Sequence, residues 1–451
     1  MAHLSLVSLY TGAGGLDYGF EAAGFDVRAA VEMDADSVRT LAASRGWPLL
    51  DRDIHQIPTR HILDTANLRV GDVDLLLGGP PCQPFSKSGY WALGDTARLD
   101  DPRATTLHAY MRCVADLLPK VFVMENVPGI AYRGKDEGLR FVEEMTQRIN
   151  QQYGTRYTIH WKVLNACEYG VPQIRERFFL IADRDGRAFS FPEPTHALPP
   201  SYSAGSGARS GAERRRANGG ALPTVPGLRP ASCAWDAIGC LPEPGCNEDL
   251  AGGGCWADLL PSIPEGKNYL WHTNRGGGMP LFGWRTRYWS FLLKLAKDRP
   301  AWTIQAQPGP AVGPFHWCNR LLNVREMAAI QTFPSNVEFY GTRRSVQRQI
   351  GNAVPSLLAE VIAREVATQL CGSEFQHPPM LSVPPLRPVP PAERLVAVPA
   401  RFLPLAGQHD DHPGTGKGRA AAARRAPEAP IAVALPSDAR QISMLDGHAS
   451  S

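Results

Sequence analysis

Apolar residues fall in short blocks along the first 183 positions, and the blocks follow two different periods. LSLVSLY, VRAAVE, VDLLLGG, VFVMENV and RFFLIAD are compact runs of aliphatic, β-branched and aromatic side chains, the composition of strands buried on both faces. Between them LDYGFEAAG, LHAYMRCVADLL and LRFVEEMTQRI repeat their apolar positions at helical spacing. Strands alternating with helices predict an α/β fold with a parallel sheet covered on both faces. The pattern breaks near residues 197–230, where PPSYSAGSGARSGAERRRANGGALP has too little apolar surface to pack and predicts a mobile insertion. It resumes near Trp235. In WRTRYWSFLLKLAK, Trp284, Tyr288, Phe291, Leu292 and Leu295 recur at helical spacing, predicting a core-anchoring helix that leaves Arg285, Arg287, Lys294 and Lys297 to meet phosphate. After Leu370 the chain turns to Pro, Ala and Arg, so residues 373–451 are expected to form a disordered tail with no packing to lose on deletion.

Composition narrows the class. At 451 residues and 43% apolar, the chain can bury a large core and divide into two lobes. Its nine cysteines include no CxxC pair, no secretory signal precedes them, and no apolar run approaches the ~20 residues of a membrane helix. A reducing, cytoplasmic setting is expected, without a membrane. Net charge is only +3, but residues 1–100 hold eight Lys/Arg against thirteen Asp/Glu, whereas 265–300 hold seven against two. The later excess points to a polyanion.

The first strand runs into Thr11-Gly-Ala-Gly-Gly15 and a helix. Such a turn lets backbone approach a ligand and leaves helix N-terminal amides free for an anion or carboxylate. Glu32 ends the second strand, where an acid can hold ribose hydroxyls, and Asp53-Ile54 follow the third, where adenine can dock. At this point NAD and S-adenosylmethionine both remain open.

Five blocks in order decide between them: GGPPCQPFS (78–86), ENVPG (125–129), QIRERFFLIA (173–182), RLLNVREMAAIQTFP (320–334) and QIGNAVPSLLAEVIA (349–363). The set resembles the DNA (cytosine-5) methyltransferases of bacterial restriction-modification systems, over residues 4–182 and 300–370. Carbon 5 of cytosine is a weak nucleophile until something adds to C6, and a thiolate is well suited to that addition. The resemblance gives this attack to Cys82, and Pro80, Pro81 and Pro84 stiffen the backbone that must aim it. It gives Glu125 the donation of a proton toward N3, which requires a site that favours the neutral acid. Arg177 is directed at cytosine O2, with Arg175 in support.

For the cofactor, the resemblance implies S-adenosylmethionine held by Gly12, Gly14, Gly15, Leu16, Glu32, Met33, Asp53, Ile54, Pro81 and Asn352. Tyr10 stands where the family has Phe and keeps a ring for stacking. Asn352 would return from the far end of the chain, so the last helix should pack on the first lobe. The implied fold is a Rossmann-like S-adenosylmethionine-dependent methyltransferase sheet with a smaller target-recognition lobe. Residues 1–182 plus about 340–372 would form the catalytic lobe, and 183–339 the recognition lobe.

The target base lies inside a duplex, so the resemblance also implies base flipping. Gln83, Ser86 and Ser88 would lie near the flipped nucleotide, on a loop that closes over DNA, and Arg275, Arg285 and Arg287 are candidates for base or phosphate contacts. The implied partner is double-stranded DNA carrying a short target site, alongside a cognate restriction endonuclease; the enzyme is expected to be a monomer. An RNA (tRNA) cytosine-5 methyltransferase is the alternative, against which the long basic insert argues. Cys233, Cys240, Cys246 and Cys255 are spaced too widely for the usual zinc pairs, so no metal is expected and buried free thiols are the default.

Overall fold

Seven strands form one sheet in the order β3-β2-β1-β4-β5-β7-β6. They are β1 Leu4–Leu9, β2 Phe25–Val31, β3 Leu49–Leu50, β4 Leu75–Gly78, β5 Val121–Asn126, β6 Thr158–Asn165 and β7 Glu176–Asp183. The computed structural model describes residues 4–81, 105–132, 134, 136–197, 227–242, 250–283 and 289–407. Strands β1 to β5 run parallel, as the pattern predicts. β7 does not: it inserts antiparallel between β5 and the edge strand β6. The expectation of a wholly parallel sheet is corrected here. Only ten residues link β6 to β7, fewer than a parallel crossover needs.

From β1 the chain lays β2 and β3 to one side, then crosses back to place β4 on the other. This reversal opens a crevice at the carboxyl ends of β1 and β4, where sheets of this kind take their ligands. The pleat divides the core: Leu76 joins Val7, Leu9 and Phe122 on one face, while Leu75 and Leu77 join Leu6 and Val123 on the other. The first face is covered by α4 (Thr105–Leu117) and α5 (Glu137–Tyr153), through Tyr110, Val114 and Leu139. The second is covered by α1 (Gly15–Ala22) and by a helix from the far end of the chain, α9 (Ser356–Cys371). A Cβ on Gly19 would lie 2.4 Å from Ala359 Cβ and 2.5 Å from Ser356 O, so α9 docks where only glycine leaves room. Helices α2 (Ala35–Ser44) and α3 (Thr59–Ala66) follow β2 and β3.

The later region contributes α6 (Ala234–Ile238), α7 (Val324–Ile330) and α8 (Arg343–Asn352), otherwise loops and 3-10 turns. It packs in two clusters. One joins Ile238, Leu295, Trp317 and Met327 to Ala13 and Tyr18; the other gathers Leu259, Tyr269, Leu292 and Phe315. The helix expected over 284–297 is corrected from Trp289 onward, residues 284–288 lying outside the described part. Amides there bond to distant chain, Leu292 to Ala311 O at 2.9 Å and Leu295 to Phe315 O at 2.8 Å. FLLKLA is apolar at nearly every position and is buried beyond the half-buried Phe291, so helical spacing within it marks no face. Nor are its lysines free for phosphate: buried Lys294 donates to Ile263 O (2.7 Å) and buried Lys297 to Glu265 Oε1 (3.0 Å).

Residues 373–407 also depart from expectation, since they pack along the protein and bury Phe402 in the second of these clusters. Their proline content means little chain entropy is lost on docking, which a composition-based expectation of disorder overlooks. Residues 408–451 lie outside the described part, as do 198–226, the bulk of the expected insertion. Among the described residues no helix is long and apolar enough to cross a membrane.

Candidate active site

The crevice collects residues from seven separate stretches. At the end of β1, Tyr10, Gly12 and Gly14 all take positive φ, at 57, 57 and 82°, folding the chain sharply before α1 begins. Glu32, just past β2, reaches under this turn. Its Oε2 accepts from Gly12 N at 2.7 Å, and its Oε1 accepts from Met33 N at 2.8 Å and Asp34 N at 2.7 Å. Burial pushes its carboxyl up, against the pull of those amide bonds. Oε2 keeps a lone pair for a hydroxyl. Met33, next in the chain, is 67% exposed. Asp53 caps a short 3-10 turn that begins at the buried Ile54, accepting from His55 N at 3.0 Å.

Asn352 ends α8 and is exposed. Its neighbours fix its place: a Cβ on Gly15 would fall 2.8 Å from Ala353 Cβ and 2.6 Å from Val354 O. The far end of the chain therefore abuts the glycine turn, as expected from the sequence. Leu16 is buried in the core beside it. Tyr10 Oη donates to Thr106 O at 2.9 Å, tying this turn to α4.

The second half of the site follows from sheet register. Leu9 pairs with Gly78 and Gly78 with Met124, so Gly79-Pro80-Pro81 leaves β4 between the ends of β1 and β5. A Cβ on Gly79 would sit 3.1 Å from Glu125 Oε2. Asn126 Nδ2 donates to Pro80 O at 3.1 Å and is buried, fixing the proline turn to β5. The Thr106 hydroxyl donates to the carbonyl of the exposed Pro81 at 3.4 Å. Cys82, Gln83, Ser86 and Ser88 lie outside the described residues.

Because β7 is antiparallel, its beginning meets the end of β5, which brings two arginines to the carboxyl edge of parallel strands. Arg177 Nε lies 2.9 Å from Glu125 Oε1, both side chains nearly buried. Burial raises the Glu125 carboxyl above its usual range, outweighing the opposing pull of Arg177 and Arg175. Arg175, 1% exposed, donates Nη1 to Ile304 O (3.2 Å) and Nη2 to Gly351 O (2.6 Å). It ties the start of β7 to the later region. Gln173 adds to this seam, donating to Gln331 Oε1 at 2.9 Å and accepting from Ile304 N at 3.1 Å. The Asn126 clasp and the Gln173 seam were not singled out from sequence, although both side chains lie inside quoted blocks.

Arg275 is exposed in a turn after Tyr269–His272, its amide donating to Thr273 Oγ1 at 3.3 Å. Arg285 and Arg287 lie outside the described residues. Of the four clustered cysteines, Cys233 is buried as expected, whereas Cys240 and Cys255 are exposed and Cys246 is outside the described part. Among the described residues no group of three or more His, Cys, Asp or Glu is placed to hold a metal.

A strand-order reversal, a glycine turn and a proline-bound loop beside a protonatable glutamate are the features of a methyl-transferring α/β enzyme, and comparison with known proteins agrees. The profile of the C-5 cytosine-specific DNA methylase family matches residues 4–213 and 298–368. The chain is 39% identical to the Type II methyltransferase M.SacI of Streptomyces achromogenes over 391 residues, 81% of this chain and 93% of that one. It is 31% identical to M1.HphI of Haemophilus parahaemolyticus, over 80% of this chain and 86% of the relative. A solved prophage-encoded protein of E. coli shares the fold, with TM-score 0.55 at 21% identity, covering 82% of this chain and 99% of that one. The chain belongs to the C-5 cytosine-specific DNA methylase family, and its reaction is methylation of cytosine in DNA at carbon 5.

Proposed function

We propose that the chain methylates one cytosine within a short duplex sequence, with the base flipped into the crevice and Cys82 adding to its C6. The observation that carries this is Glu125, held nearly buried beside the turn that leads to Cys82, with its carboxyl biased toward the acid. A neutral carboxyl donates a hydrogen bond, or a proton, to N3 as Cys82 attacks, so charge need not build on the ring. Arg177, already at Glu125, orients that carboxyl and turns its remaining donors to cytosine O2. Asn126 and the three prolines keep the thiol aimed.

The crevice fits S-adenosylmethionine: a backbone cradle, a carboxylate with a free lone pair, an uncovered Met33 and strand-end acids suited to a cation. Gly12, Gly14, Gly15, Leu16, Glu32, Met33, Asp53, Ile54, Pro81 and Asn352 would hold it, with the ring of Tyr10 close by. When bound it supplies the electrophilic methyl group. Residues 183–339 then act as the recognition lobe, with Gln83, Ser86, Ser88, Arg275, Arg285 and Arg287 toward DNA. The Type II names of the relatives favour a partner endonuclease cutting the same site.

The test is a duplex carrying 5-fluorocytosine at the target, located first by bisulfite sequencing of DNA from cells expressing the protein. Fluorine cannot leave C5 as a cation, so the enzyme should remain covalently attached, only with S-adenosylmethionine present and only while residue 82 is Cys. No protein-DNA band on a denaturing gel, under conditions where the normal duplex is methylated, overturns the role of Cys82. Preferential methylation of tRNA in a parallel assay overturns the substrate.

A further inference from the structure

We propose that residues 377–402 are a positioning strap, holding the recognition lobe at a fixed angle to the catalytic lobe so that its side chains meet DNA in register. The inference rests on the assignment of residues 183–339 to recognition. These residues lie beyond the family match, which ends at 368, and their contacts reach first one body and then the other.

The first clasp is on α9. Glu360, fully buried, accepts from the backbone amides of Met380 (2.6 Å) and Leu381 (2.8 Å) while also holding Arg364. Arg364 in turn donates to the carbonyls of His377 (2.6 Å) and Pro378 (3.0 Å). A buried ion pair thus grips four backbone groups within residues 377–381. The second clasp is on α6, where Asp236 Oδ1 accepts from Leu386 N at 2.7 Å and Arg387 Nη1 reaches Cys233 Sγ at 3.3 Å.

The third clasp closes on Lys297. Its ammonium, 4% exposed, donates to Glu265 Oε1 (3.0 Å), Glu393 Oε1 (2.7 Å) and Pro391 O (3.0 Å), filling all three donors. Glu393 N returns a bond to Glu265 Oε1 at 2.8 Å. The last anchor is apolar: Phe402 stacks on Trp256 with ring centroids 5.6 Å apart and planes 16° from parallel. Three of the four anchors therefore grip the region between α6 and Lys297, which contains Arg275 and the stretch 284–288, and the first grips the helix that packs against the cofactor turn. Nine prolines within 373–407 restrict the free chain, so it acts as a stay of nearly fixed length.

Two full-length variants test this: Arg387→Ala with Glu393→Gln, which opens the polar clasps, and Phe402→Leu, which trims the stack without leaving a large void. Each is assayed well below its unfolding temperature for S-adenosylmethionine affinity, kcat, and KM for duplex containing the target. Expected are cofactor affinity and kcat within about twofold of wild type and a KM for DNA raised about tenfold in the clasp variant, less in Phe402→Leu. A lowered unfolding temperature with KM unchanged in both would show a brace for stability alone and overturn the proposal. A parallel exchange of residues 183–300 for a relative's segment separates the two layers. If the methylated sequence does not change, the recognition assignment itself fails. If it changes while the strap variants keep wild-type KM, the strap alone fails.

Discussion

Asp17→Asn should gain on wild type by about 3 kcal/mol of stability between pH 5 and pH 8. Asp17 lies in the first turn of α1, is 1% exposed, and its Oδ1 meets no hydrogen-bond partner among the described residues. Burial pushes its carboxyl from 3.8 up to about 7, the bonds from the Ser8 hydroxyl and its own amide offsetting only part. An acid with a raised native pKa holds its proton more tightly folded than unfolded. Its stabilising contribution is therefore complete below about pH 4, is lost as pH climbs toward 7, and changes no further above that. From pH 5 to the native value is roughly 2 units, at about 1.36 kcal/mol each. Asparagine stays neutral throughout and escapes the loss. Any fixed cost of burying its extra N–H bonds is equal at both pH values and cancels in the comparison. Urea unfolding of both proteins at pH 5 and pH 8, at constant ionic strength, measures this difference directly. A stability gap between variant and wild type that is the same at the two pH values would refute the reasoning.

Glu125→Gln keeps the shape and a hydrogen-bond donor but cannot give up a proton, so kcat should fall about 10²- to 10⁴-fold with cofactor affinity retained; an unaltered kcat would remove the acid role. Asn126→Ala frees the Pro80 carbonyl, and kcat should drop at least about tenfold with little change in S-adenosylmethionine affinity, as isothermal titration would report. Gly15→Ala puts a methyl group 2.6 Å from Val354 O, so the α8-α9 junction must retreat from the glycine turn; S-adenosylmethionine binding should weaken at least about tenfold, and wild-type affinity would contradict the packing.

The strands and the glycine turn at their ends were legible because their signals are local. A buried parallel strand is a run of apolar residues, a turn that needs positive φ is a run of glycines, and acids at strand ends fall in chain order. The antiparallel insertion of β7 was not legible, because RFFLIAD is equally apolar whichever way it runs and the short β6-β7 link sets its direction. β6 itself went unseen, since TIHWKVLN at a sheet edge is mostly half exposed and carries no continuous apolar run. Lys294 and Lys297 read as surface cations because a buried lysine needs partners from remote sequence, here Ile263 and Glu265, which spacing cannot reveal. The docked strap was hidden for the same reason: its partners Glu360, Asp236 and Trp256 are scattered over more than a hundred residues, while its own composition is that of an unstructured tail.

The seat of α9 against α1 bears on how the enzyme comes into being at the ribosome. Gly15 and Gly19 are synthesised early, but the residues that cover them, Ala353 to Glu360, emerge only after residues 183–339 have been made. A nascent chain released prematurely can fold its strands yet lacks the wall that closes the cofactor turn, since domains form as their segments leave the ribosome. An interrupted product that ends before residue 353 therefore carries Gly15 and Gly19 without the residues that pack on them.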